Sequence, residues 1–211
     1  MKPEAKLATA APQLLKPSPP RQARPLWHFA LPLALQTALI LALPARNAYT
    51  FATGTTVVLQ TAPVDPYDFL RGYYQTLGYE ISQQDTLAAL PGGEAVFGED
   101  RPYTDHFYVV LEPPTSETSP PRPWQPVRIS GELPDDLTAG QIALRGEYRD
   151  WQITYGLERY YMPESQREAI NRDIGDVQRS QPEAFRVEVK VGGDGVAVPV
   201  SLWVQERHYR F

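Results

Sequence analysis

The chain has 211 residues, a formal charge of -5 and no cysteine. That length allows one domain of about 150 residues with an anchor and a tail, and the lack of cysteine excludes disulfides, thiolate metal sites and a cysteine nucleophile. From Arg46 onward 15 basic residues face 24 acidic ones, a net of -9, and Lys190 is the only lysine among them. An acidic region without a basic stripe argues against a nucleic-acid partner, because phosphate contacts need clustered Lys and Arg.

Residues 1–25 are rich in Pro, Ala and Lys without hydrophobic periodicity and read as a flexible tail. Residues 26–43 carry no formal charge. As a helix those 18 residues would span about 27 Å, close to the roughly 30 Å hydrocarbon core of a bilayer. Trp27 stands at the entry and Tyr49 and Phe51 just past the exit, where interfacial aromatics are expected. Lys2, Lys6, Lys16, Arg21 and Arg24 precede the run against one acid, Glu4. By the positive-inside rule the N-terminus is cytoplasmic and 46–211 extracytoplasmic. A cleaved signal peptide would need a small-x-small site, and only Leu-Pro-Ala and Arg-Asn-Ala are on offer. A soluble core helix fits poorly beside a basic tail and interfacial aromatics. The expected organisation is a tail over 1–25, a single transmembrane anchor over 26–45, and a β-rich domain over 46–211 in the periplasm or a lumen. Pro32 and Gln36 mark a kink or a helix–helix contact.

Past the anchor, short strands alternate with turns. Strands are predicted at 55–61, 73–82, 106–111, 127–131, 141–148, 151–156, 185–191 and 196–205. Residues 83–105, with Pro91-Gly92-Gly93, read as a loop-rich excursion, and 113–126, with Pro120-Pro121, as an exposed connection. Helical character appears once, over 163–177, where Pro163 and Glu164 suit a first turn and Ala169, Ile170 and Ile174 form a narrow stripe. Gly192-Gly193-Asp194-Gly195 is a hairpin signal between the last two strands, and His208 falls in a polar tail beyond them. The predicted fold is mainly β, a small barrel or sandwich with one short helix.

The densest stretch runs from Pro63 to Tyr79. It opens Pro63-Val64-Asp65-Pro66, turns at Arg71-Gly72 and enters an aromatic strand. A shorter echo, Leu144-Arg145-Gly146-Glu147-Tyr148, repeats Leu70-Arg71-Gly72-Tyr73-Tyr74, by duplication or by chance. With Gly72, Tyr74, Leu77 and Tyr79 in place, the chain resembles the bacterial membrane-anchored family named for its GDYxxLxY motif, with Tyr73 standing where the motif has Asp. Thr61 to Pro66, Phe69-Leu70-Arg71, Leu144-Arg145-Gly146 and Tyr155 to Glu164 carry the resemblance across roughly 26–205. It implies a membrane location and a membrane-protein partner, because some relatives are encoded with or fused to polytopic membrane proteins. It implies no particular chemistry.

The residues themselves argue the same way. A Ser–Lys protease needs a buried lysine, yet Lys190 alternates with Arg186 and Glu188 on a solvated strand face. His28, His106 and His208 are isolated, so no metal site is expected, and no cofactor. Asp65 and Asp68 suit turn caps, and Arg71 and Arg145 suit structural pairing with Asp68 or Glu158. Gly72 and Gly146 each follow an arginine and read as positions of positive φ or close backbone approach. Glu158 and Glu164 flank Tyr160-Tyr161 and form the one carboxylate pair of glycosidase type. No catalytic set emerges. The motif and interaction residues are Asp65, Arg71, Gly72, Tyr74, Leu77, Tyr79, Arg145, Gly146 and Glu158. Two functions follow: a single-pass, non-enzymatic accessory protein docking on a membrane protein complex, or an envelope enzyme or glycan binder using Glu158, Glu164 and the tyrosines near them. The expected host is the plasma (inner) membrane or another energy-transducing membrane.

Overall fold

In the computed structural model, which describes residues 27–61, 74–76, 78–98, 106–116, 118–161 and 185–210, the uncharged run is helical. Helix α1 spans Trp27–Thr53, eight residues beyond the expected end of the anchor. No single helix among the described residues is long and apolar enough to cross a membrane; Trp27–Ala42 and Pro44–Thr53 meet that requirement only as a pair. Pro44 supplies the reason for the break, since it brings no N–H to the helix ladder and its ring crowds the preceding turn. The chain divides into two compact units, Met1–Leu41 and Ala42–Phe211. In the first, Trp27, Phe29, Leu31, Leu33, Leu35, Leu39, Ile40 and Leu41 are all more than half exposed.

The second unit is mainly β and holds two four-stranded antiparallel sheets. The first sheet contains β1 (Thr55–Gln60), β8 (Phe185–Val191), β9 (Ala197–Val204) and β10 (Arg207–Arg210), in that order. Strict alternation along β8 turns Phe185, Val187, Val189 and Val191 inward and leaves Arg186, Glu188 and Lys190 half-buried. Each inward valine is worth about 1.5–3 kcal/mol by burial. The second sheet has the order β4-β3-β5-β6: β3 is His106–Glu112, β4 Gln125–Ser130, β5 Ile142–Arg149 and β6 Gln152–Thr154. Val57, Leu59, Val187 and Val189 of the first sheet share one core with Phe107, Val109, Leu111 and Leu144 of the second.

The two sheets also touch through their edges. The Trp124 amide, just before β4, donates to the Val58 carbonyl of edge strand β1 at 2.8 Å. The Arg145 amide in β5 donates to the Gly195 carbonyl in the β8–β9 turn, also at 2.8 Å. Such bonds satisfy strand edges that would otherwise offer free pairing groups.

Several elements differ from the expectation. Among the described residues of the strand predicted at 73–82, Tyr74–Thr76 forms β2, paired with a missed strand, Arg159–Tyr161 (β7), and Glu80–Ser82 forms a 3-10 turn. Tyr79 bridges Thr61 before that turn, so its ring leaves the strand and enters the core. The region 83–105 is not simply loop: Gln84–Ala88 (α2) and Gly93–Phe97 (α3) are helical, with Gly92 at φ +82° between them. Phe97 stands edge-on to Phe107 and Tyr148, with ring centroids at 5.1 and 5.3 Å. His208 lies in β10 rather than a tail, stacked on Trp203 at 4.2 Å. The helix predicted over 163–177 lies outside the described residues.

Candidate functional site

A cleft of about 720 Å³ opens within the second unit where four elements meet. The C-terminal part of α1 contributes Arg46. Strand β5 contributes Arg145 and Glu147, which its period of two places on one face. Strand β6 and the segment after it contribute Thr154, Tyr155, Gly156, Glu158 and Arg159, and the β8–β9 turn contributes Val196.

Three guanidinium groups therefore face two carboxylates. Arg46 is held by Asp194 of the β8–β9 turn at 2.7 Å, and its hydrogen bond, ahead of every other influence, keeps the Asp194 carboxyl below its ordinary range. A Glu158 carboxylate oxygen accepts the Tyr155 amide at 2.5 Å, closing a tight local turn. Among the described residues, the Arg145 guanidinium has no hydrogen-bonding or ion-pair partner although it is half-buried. Exposed Glu147 is likewise unpaired among the described residues. Tyr155, which lines the cleft, packs against the buried Tyr79. The Tyr79 hydroxyl donates to the Leu157 carbonyl at 2.8 Å, the Tyr155 hydroxyl donates to the Ile81 carbonyl, and the two rings meet edge-on. Burial, with the nearby Glu158 charge second, pushes both phenols well above their ordinary value.

Of the residues expected to matter, Arg145 and Glu158 come together in this cleft. Glu158 does not form an ion pair with Arg145. Gly146 is on the buried face of β5, where a side chain would strike the Phe107 and Tyr155 rings, and it does not have positive φ. Tyr79 is core and Tyr74 lies in β2. Asp65, Asp68, Arg71, Gly72, Leu77 and Glu164 lie outside the described residues. Sequence reading missed Arg46, Glu147 and Arg159 as cleft residues. Glu147 carried a usable signal, two residues after Arg145 on an alternating strand. The Arg46–Asp194 contact joins positions 148 apart and left no local trace.

The fold and cleft define a two-sheet antiparallel β domain with a charged surface site at one strand end, following a helix rich in exposed apolar residues. The chain belongs to the GDYXXLXY protein family, whose family model matches residues 36–202. No curated protein matches it, and no solved structure does.

Proposed function

We propose that the chain is a single-pass membrane protein whose α1 is an uncleaved anchor and whose β domain is an extracytoplasmic accessory module docking on a membrane protein complex. The observation that carries this reading is the apolar surface of α1. Eight large hydrophobic side chains between Trp27 and Leu41 are 57–68% exposed, within a run without formal charge. A helix apolar on all sides needs lipid or protein around it. The basic residues ahead of it favour a cytoplasmic N-terminus. The plasma (inner) membrane is the simplest host.

The second reading, an envelope enzyme or glycan binder, draws support from the open cleft that holds Glu158. Against it, Tyr79, Tyr148 and Tyr155 are buried in the core.

Affinity capture of the tagged full chain from detergent-solubilised membranes tests the proposal. A polytopic membrane protein recovered in stoichiometric amount is the expected result, and recovery of a lone monomer sinks it. A reporter fused after Phe211 should be active outside the cytoplasm, and activity confined to the cytoplasm overturns the topology.

A further inference from the structure

We infer that the cleft is a binding site for a carboxylate, held by the Arg145 guanidinium and supplied by a small organic acid or by the carboxylate end of a peptide. The Arg145 side chain is half-buried, yet among the described residues its guanidinium has neither a hydrogen bond nor an ion pair. A guanidinium drawn partly out of water loses hydration, and here no described group replaces it. Its planar fork of donors matches the two oxygens of a carboxylate.

The fold holds that fork in place. Arg145 is paired with Tyr108 of β3, and its amide is bonded to the Gly195 carbonyl of the β8–β9 turn. A side chain rooted in an internal strand is placed more precisely than one on a loop. The cleft also has room for an incoming group. Gly156 lines it with φ +73°, and a Cβ built there meets no atom within 4 Å. The half-buried Thr154 hydroxyl is unpaired among the described residues, so strand β6 brings a second donor to the same cleft. At about 720 Å³ the cleft has the size of a small-ligand pocket.

The neighbouring groups favour a single negative charge. The other two guanidiniums that line the cleft are engaged, Arg46 with Asp194 at 2.7 Å and Arg159 with a partner of its own. Glu147 lies two residues from Arg145 on the same strand face, and Glu158 lines the same cleft. Each repels an anion, and the repulsion grows with the charge the anion carries. A carboxylate, planar and singly charged, therefore suits Arg145 better than a sulfate or phosphate dianion. All these residues belong to the second unit, so the site does not depend on whether α1 crosses a membrane.

The test uses the full chain in a maltoside detergent at neutral pH. It is titrated calorimetrically with propionate, with acetyl-dialanine bearing a free carboxylate, with the carboxamide of that peptide, and with sodium sulfate. Saturable one-to-one binding of propionate or of the free peptide is expected, and the tighter of the two names the source. The carboxamide should bind about tenfold or more weakly, as loss of a charge-assisted hydrogen bond implies, and Arg145→Gln should weaken the carboxylate by a similar factor. Glu147→Gln should tighten sulfate more than the carboxylate, a discrimination that general loosening of the fold would not produce. Should Arg145→Gln fail to fold, the difference between free peptide and carboxamide in the parent chain decides the matter. No saturable binding, equal binding of the carboxamide, sulfate bound as tightly as the carboxylate, or a folded Arg145→Gln chain that binds like the parent overturns the proposal.

Discussion

A methyl carbon added at Gly146 would stand 2.6 Å from Cζ of Phe107 and 2.9 Å from Cε1 of Tyr155. Both rings belong to the core, and Phe107 is fully buried, so neither can swing into solvent. Gly146→Ala should therefore destabilise the domain by about 1–3 kcal/mol, with Gly146→Val worse, read as a lower melting temperature of the full chain in detergent. A parent-like melting curve for the valine variant would disprove this packing account. Tyr79 offers a contrast in which volume is kept and one bond is lost. Its hydroxyl satisfies the buried Leu157 carbonyl, and Tyr79→Phe leaves that acceptor without its partner. The expected cost is about 1–2 kcal/mol, and no loss of stability would show that water replaces the hydroxyl.

The β8–β9 hairpin does two jobs as an element, joining two strands and bracing a third. Gly195 at its turn has φ +81°, and a Cβ there would sit 3.0–3.1 Å from Tyr108, the Ala143 carbonyl and the Arg145 amide. Gly195→Ala should lower the melting temperature and also disturb the cleft, because the turn carries both Val196 and the Asp194 that holds Arg46. Hydrogen exchange of the Arg145 amide would report it, as faster exchange in the variant. Unchanged protection would show that this amide bond survives. The hairpin was legible in the sequence, since Gly-Gly-Asp-Gly between two β-branched runs leaves little choice, and so were β1, β3 and β8 by their valines. Helices α2 and α3 were not, because five residues hold barely more than one helical turn and show no period. Strand β10 was missed because Arg-His-Tyr-Arg has no apolar alternation, and its partner β9 imposes the conformation. The cleft was half legible. Arg145 and Glu158 stood out through their neighbours, but their meeting with Arg46 is a product of topology that no window of sequence contains.

The whole domain carries ionisable groups whose shifts oppose each other across the pH scale, and their signs predict where it is most stable. Glu188, on the outer face of β8, exposes 15% of its side chain. Burial raises its carboxyl, but hydrogen bonds from Ser201 and from Trp203 at 3.1 Å, with the His208 and Arg210 charges, leave it below its ordinary value. Asp194 is lowered as well, first by Arg46. For a lowered carboxyl the unfolded chain takes up protons first as pH falls. The stability it contributes is present above the unfolded values, about 4, and is lost as pH drops through the lower folded values. Tyr79 and Tyr155 have the opposite sign. Burial raises both phenols, so above the unfolded value near 10 the unfolded chain ionises while the folded one stays neutral, and stability falls as pH rises. The melting temperature should thus form a plateau between about pH 5 and pH 9 with a fall on either side. Glu188→Gln should flatten the acid limb and leave the alkaline one. Tyr155→Phe should lower the plateau, because the Ile81 carbonyl loses its donor, while making the alkaline limb shallower. Melting curves of the full chain in detergent from pH 3 to pH 11 decide it. An alkaline limb equally steep in Tyr79→Phe and Tyr155→Phe would show that these two phenols do not govern the loss.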